Sequence, residues 1–145
     1  ARWMMGAEPT QVQAQAIYHD TGVDVHFVGT LQFPGGGLAT LEASFISALQ
    51  QTFTVVGTEG AIDLPHDAFI PWQNDAEYIL RGQDQETGCK HVVPGADEYQ
   101  LMVEHFSDAV LGKSKLNFLF EDSIANMQVL DALAQAALSG NTVKL

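Results

Sequence analysis

This 145-residue sequence has a single cysteine and only six cationic side chains. With Cys89 alone no internal disulfide forms, which fits a reducing compartment. Six Lys and Arg stand against 18 Asp and Glu, a formal charge of −12. Nucleic-acid binding draws its affinity from cations that neutralise phosphates, so neither a polyanion nor an anionic membrane surface is an expected partner. No apolar run approaches the roughly 18 residues of a membrane span. The opening Ala1-Arg2-Trp3-Met4-Met5-Gly6 lacks the basic region, apolar stretch and cleavage site of a signal peptide. The expectation is a soluble, cytoplasmic protein, and 145 residues suffice for a single domain with its own core.

Residues 1–6 read as the end of a helix, with apolar Trp3, Met4 and Met5 before a terminating Gly6 and no capping residue ahead of them. The alternative is a trimmed, disordered leader. After Glu8-Pro9 the period becomes alternating. Val12, Ala14, Ala16 and Tyr18 share one face, with Ile17 on the other beside polar neighbours; Val23, Val25, Phe27, Leu31 and Phe33 follow beyond the turn at Asp20-Thr21-Gly22. Pro34-Gly35-Gly36-Gly37 returns the chain, and Ala39, Leu41, Ala43 and Phe45 point inward from a third strand, completing an antiparallel meander. Residues 53–56 and 61–64 flank Gly57-Thr58-Glu59-Gly60 as a hairpin, and weaker strands lie around Tyr78-Ile79-Leu80 and His91-Val92-Val93.

Helical period returns in the last third. Asp97 caps a helix whose stripe is Tyr99, Met102, Val103, Phe106, Ala109 and Val110, ending at Gly112. A second helix starts near Glu121-Asp122 and carries Ile124, Met127, Leu130, Leu133, Ala134, Ala137 and Leu138 to Gly140. Strands followed by helices predict an α+β fold, an open-faced and largely antiparallel β-sheet with helices packed on one face. The opposite face, with Gln13, Gln15, Ile17, Val28, Thr30, Leu38, Thr40 and Ile46, is too apolar for a purely solvated surface and is expected to pair with a second copy, giving at least a dimer.

Chemistry is sparse. Gly35-Gly36-Gly37 lies between strands, and Thr40 stands where the third glycine of a dinucleotide fingerprint belongs, so the cluster reads as a turn. His19, His26, His66, His91 and His105 show no metal-ligand spacing, and no metal site is expected. His66-Asp67, at a strand exit, is the one histidine pair kept as a site candidate. Cys89 beside Lys90 is either a thiol with a lowered pKa or a structural residue. Phe69-Ile70-Pro71-Trp72 places two large rings in a loop, where they either cap the core or line a pocket.

Several segments in order resemble the C-terminal domain of the glucose-fructose oxidoreductase, inositol dehydrogenase and MocA family. They are residues 1–9, Gly22-Val23-Asp24, residues 29–36, residues 56–62, Glu121-Asp122-Ser123, Leu130-Asp131-Ala132 and residues 140–145. The resemblance implies a substrate-binding and dimerisation domain of an NAD- or NADP-dependent oxidoreductase acting on a sugar, polyol or related carbonyl compound. Its N-terminal Rossmann domain, which binds the cofactor, has no counterpart in this sequence. Residues 1–6 would end the interdomain helix, and the catalytic residues would lie upstream of Ala1, leaving no catalytic or cofactor-binding residue to assign here. Phe69, with Trp72 and His66 beside it in sequence, is expected to border a small-molecule substrate, Phe69 facing the groove where the Rossmann domain docks. A stand-alone binding or assembly module is the competing reading.

Residues 1–145 on their own are expected to fold yet bind no nicotinamide dinucleotide, since the glycine fingerprint is missing. Calorimetric titration with NAD and NADP should give no specific heat; micromolar affinity for either overturns this.

Overall fold

The computed structural model describes residues 1–145 apart from 67 and 70–73. In chain order the elements are α1 (Arg2–Met5), β1 (Gln11–Tyr18), β2 (Asp24–Gln32), β3 (Leu38–Ser44), β4 (Phe53–Val56), β5 (Gly60–Leu64), β6 (Ala76–Gly82), β7 (Cys89–Val93), α2 (Glu98–Val110), α3 (Phe120–Ser139) and β8 (Val143–Lys144). The fold is α+β, with two four-stranded antiparallel sheets ordered β3-β2-β1-β8 and β4-β5-β6-β7. The chain divides into two compact units, Ala1–Ser47 with Asn117–Leu145, and Ala48–Leu116.

In the first unit the expected meander forms. Val12 pairs Leu31, and Leu31 pairs Ala39, in uninterrupted register until a bulge at Ile17/Tyr18. A single 3-10 turn, Pro34–Gly36, joins β2 to β3; Gly35 and Gly36 both take positive φ there, a conformation only glycine adopts cheaply. One sheet face is covered by α3, which lies against β1 and β8. Val12, Leu31 and Phe33 meet Val129, Ala132, Leu133 and Ala136 to form the core.

Two expectations about facing in this unit are corrected. Phe45 does not point inward. β3 ends at Ser44, whose Oγ accepts from the backbone N–H groups of Ile46 and Ser47, and this turn leaves Phe45 exposed. On α3 only Leu133 of the expected large apolar stripe is buried, while Ile124, Met127, Leu130 and Leu138 remain exposed. The buried face is instead the smaller one, Val129, Ala132 and Ala136 with Leu133. The cause is close approach: a Cβ added at Gly29 of β2 would lie 2.9 Å from Leu133 Cδ2 and 3.4 Å from Leu41 Cδ1. A helix seated this near a sheet presents small side chains to it.

α1 buries none of its residues fully; Met5 lies against Gly37, and charge adds a directional hold. Arg2 Nε and Nη2 donate to the two carboxylate oxygens of Glu8 at 2.7 and 2.8 Å. Nη2 also donates to Asp122 Oδ1 at 2.9 Å, and Nη1 to Asn126 Oδ1 at 3.4 Å, so one guanidinium ties α1 to the entry of β1 and to α3.

In the second unit β4 and β5 form the expected hairpin, closed by the Gly57 N–H donating to the Gly60 carbonyl. β6 and β7 extend the sheet, and Asp97 caps α2 by accepting from the Gln100 N–H at 3.0 Å. The α2 stripe departs from expectation: no residue of this helix is buried, and Tyr99, Met102, Val103, Phe106 and Val110 are exposed. No described helix is long and apolar enough to cross a membrane.

Candidate functional site

Strand alternation sorts the second sheet into two chemically different faces. Val55, Ile62, Leu80 and Cys89 are successive register partners and form one row across β4 to β7. On the same face Phe53 pairs Leu64, and Tyr78 pairs His91. The Tyr78 and His91 rings stack at 4.8 Å with planes 11° apart, and Phe69 meets Phe53 edge-on at 6.4 Å and 76°. By the turn at residues 57–60 there is a wide groove of about 780 Å³, lined by Val55, Ile62 and Leu80, with Glu59, Arg81, Gln85, Cys89 and His91 as its charged and polar neighbours.

The other face carries ions. Arg81 Nε and Nη2 donate to Asp63 Oδ2 at 2.9 and 2.6 Å. That hydrogen bond, helped by one from Thr54 and by the guanidinium charge, holds the Asp63 carboxyl below its ordinary range against an opposing desolvation. Glu77 lies 2.6 Å from Lys90 Nζ through one oxygen and 3.7 Å from His66 Nε2 through the other.

The sequence candidates therefore part company. Phe69, 67% exposed, joins the aromatic face through Phe53. His66 reaches Glu77 on the ionic face, so the structure does not bring these two together. Trp72 lies outside the described residues, as does Asp67, the sequence partner of His66. Lys90 does not flank the Cys89 thiol, because neighbours along a strand point oppositely and its ammonium is engaged by Glu77. The Tyr78–His91 stack and the groove escaped the sequence reading. Their signal was the period of two in residues 76–82 and 89–93, but it becomes a site only once the register is known.

The groove offers an apolar wall and the His91 imidazole, which is stacked on Tyr78, a set suited to binding more than to bond-breaking. Among the described residues no three His, Cys, Asp or Glu side chains are grouped as a metal site. Gly35-Gly36-Gly37 joins two antiparallel strands, where a dinucleotide fingerprint would join a strand to a helix.

The first unit presents a second candidate surface, the sheet face away from α3. Ile17, Val28 and Leu38 are exposed there among Gln13, Gln15, Thr30 and Thr40. Gln11 donates to Gln32 at 2.6 Å across it, Gln13 to Thr142 at 2.6 Å, and His26 Nε2 lies 3.0 Å from Glu42 Oε1.

Comparison with known proteins agrees with this architecture. The GFO/IDH/MocA C-terminal domain matches residues 1–63. An uncharacterized oxidoreductase, ORF334 of Rhizobium meliloti, is 33% identical over 97% of this chain and 43% of its own length. D-xylose 1-dehydrogenase (NADP(+)) 2 of Haloferax volcanii is 27% identical over 100% of this chain and 44% of its own. The chain thus spans under half the length of these curated relatives. Among solved structures, a 3-ketoreductase from Actinomadura kijaniata, in complex with TDP-benzene and NADP, superposes with a TM-score of 0.82. It shares 22% identity over 94% of this chain and 43% of that protein, a likeness of fold.

The Asp63–Arg81 pair generates a pH prediction. Because the folded-state pKa of Asp63 is lowered, the pair stabilises the fold above the ordinary Asp value of about 3.9. That stabilisation is lost as pH falls through the lowered value. In an NMR titration Asp63 should protonate below the ordinary value, and Arg81→Met should raise its pKa from there. An unchanged titration in the variant would show that Arg81 is not the cause.

Proposed function

Since the chain belongs to the GFO/IDH/MocA family of oxidoreductases through its C-terminal domain, we propose that it is the substrate-binding and oligomerisation part of a longer NAD(P)-dependent enzyme acting on a sugar, polyol or related carbonyl compound. The observation that carries this reading is a likeness to an oxidoreductase over 97% of the chain, wider than the 63 residues of the family match. The name of the Haloferax relative, a D-xylose dehydrogenase using NADP, supports the substrate class and the cofactor. The cofactor would be held by residues outside this chain, since the glycines here build a hairpin turn. This domain's contribution is to shape and exclude water from the substrate space. Phe69 serves as one wall of it, fixed by its edge-on contact with Phe53.

The test uses the full-length oxidoreductase that carries this chain, with NAD and NADP against D-xylose, D-glucose and myo-inositol, followed by absorbance of the reduced nicotinamide. Turnover of at least one pair is expected. Phe69→Ala should raise KM by roughly tenfold to hundredfold, since burying a large apolar side chain is worth about 1.5–3 kcal/mol. No turnover on any pair counts against the reading.

Self-association belongs to the same proposal. The exposed face of the β3-β2-β1-β8 sheet offers Ile17, Val28 and Leu38 at 57%, 42% and 71% exposure, within a field of Gln and Thr able to hydrogen-bond across a two-fold axis. Sedimentation equilibrium should show at least a dimer, and Val28→Lys should weaken it at least about tenfold, because an unpaired charge is costly to bury. A monomer at every concentration would refute the pairing.

A further inference from the structure

α1 is a single helical turn with no fully buried residue; Trp3 is 75% exposed, and Met5, whose Sδ would lie 3.2 Å from a Cβ added at Gly37, supplies its apolar contact. The directional hold is the Arg2 side chain, itself only 13% exposed. The fork spends both edges of the guanidinium. Nε and Nη2 grip Glu8, just before β1, while Nη2 and Nη1 reach Asp122 and Asn126, which stand one turn apart on α3. Since α3 is packed on β1 and β8, all three partners belong to one rigid frame, the covered sheet. Paired to two carboxylates, the guanidinium is held firmly in its charged form. Without it Glu8 and Asp122 would be left as neighbouring like charges, pushing apart the elements the fork now joins.

We propose that Arg2 is a positioning residue: its fork fixes the direction in which preceding chain enters this unit, and so where the cofactor-bearing part of the enzyme stands relative to the sheet that α3 covers. This rests on the oxidoreductase reading above. The lever is mechanical. A helix continuing upstream from α1 rises 1.5 Å per residue, and a tilt of about 10° at the fork moves a group about 20 Å away by about 3.5 Å. A displacement of about 1 Å between reacting groups already costs on the order of a hundredfold in rate. Arg2 touches no substrate in this scheme; it acts through the geometry it imposes. Lysine is a poor replacement, because a point charge cannot grip three partners in one plane.

The full-length protein with Arg2→Met and Arg2→Lys decides the matter, read by melting temperature, NADP affinity from fluorescence titration, kcat and KM with D-xylose and NADP, and small-angle X-ray scattering. The expected result for Arg2→Met is a fall in kcat of about tenfold to hundredfold, with NADP affinity held within about twofold and a broadened scattering distance distribution. Arg2→Lys should fall between the two. Wild-type kcat and an unchanged distance distribution in a folded Arg2→Met protein overturn the inference. Should that variant fail to fold, Arg2→Lys is judged by the same two criteria. If the unmodified protein turns over none of the sugars, the dehydrogenase reading falls by itself and scattering alone decides. A broadened distribution then supports the positioning role, and an unchanged one refutes it.

Discussion

The close seating of α3 on the first sheet is the constraint from which the rest of that unit follows. It requires that β2 present no side chain at position 29, where a Cβ would press on Leu133, and that the helix present Ala132 and Ala136 rather than its larger residues. Small faces allow two backbones to approach, and density then comes from Val12, Leu31 and Phe33 filling the space on either side. The same proximity brings Asp122 and Asn126 within reach of Arg2. A change that lifted α3 would therefore loosen the core and the anchorage of α1 together.

What the sequence made legible is what depends on local periodicity and turn chemistry. Val12, Ala14 and Ala16 alternate with glutamines, and only a half-covered strand satisfies that pattern; Pro34-Gly35-Gly36 and Gly57 to Gly60 mark where the chain must reverse. Asp97 three residues before Gln100 announced the α2 cap. Which side of α3 is buried was not legible, because that helix is apolar nearly all round. Reading the larger residues as the buried ones ignored the spacing that Gly29 imposes on Leu133 from another, sequence-distant element. Phe45 failed for a related reason: its alternation continued in sequence after Ser44 had ended the strand.

The candidate site shows the same division. Phe69 stood out in sequence because a ring in a loop is conspicuous, but its contact with Phe53 was not read there, since a strand position alone does not say what its side chain meets. The Tyr78–His91 stack depends on register between strands that individually look weak, and no composition argument supplies a register. Adjacency in sequence even misleads. Cys89 and Lys90 sit side by side in the chain and on opposite faces of the sheet, and His66 is three residues from Phe69 yet turns to the ionic side.

Charge distribution bears on the pairing proposed for the first sheet. The chain carries 18 acidic residues, so two copies meeting at an arbitrary place bring carboxylates together. Along the uncovered rows of β1, β2 and β3 the side chains run through Gln11, Gln13, Gln15 and Ile17, then His26, Val28, Thr30 and Gln32, then Leu38, Thr40, Glu42 and Ser44. Glu42 is the one carboxylate among these positions, and His26 already lies 3.0 Å from it. Like-charge repulsion is therefore smallest where apolar exposure is already available for burial. A strongly acidic surface elsewhere and a nearly neutral sheet here favour one geometry of contact by penalising the others.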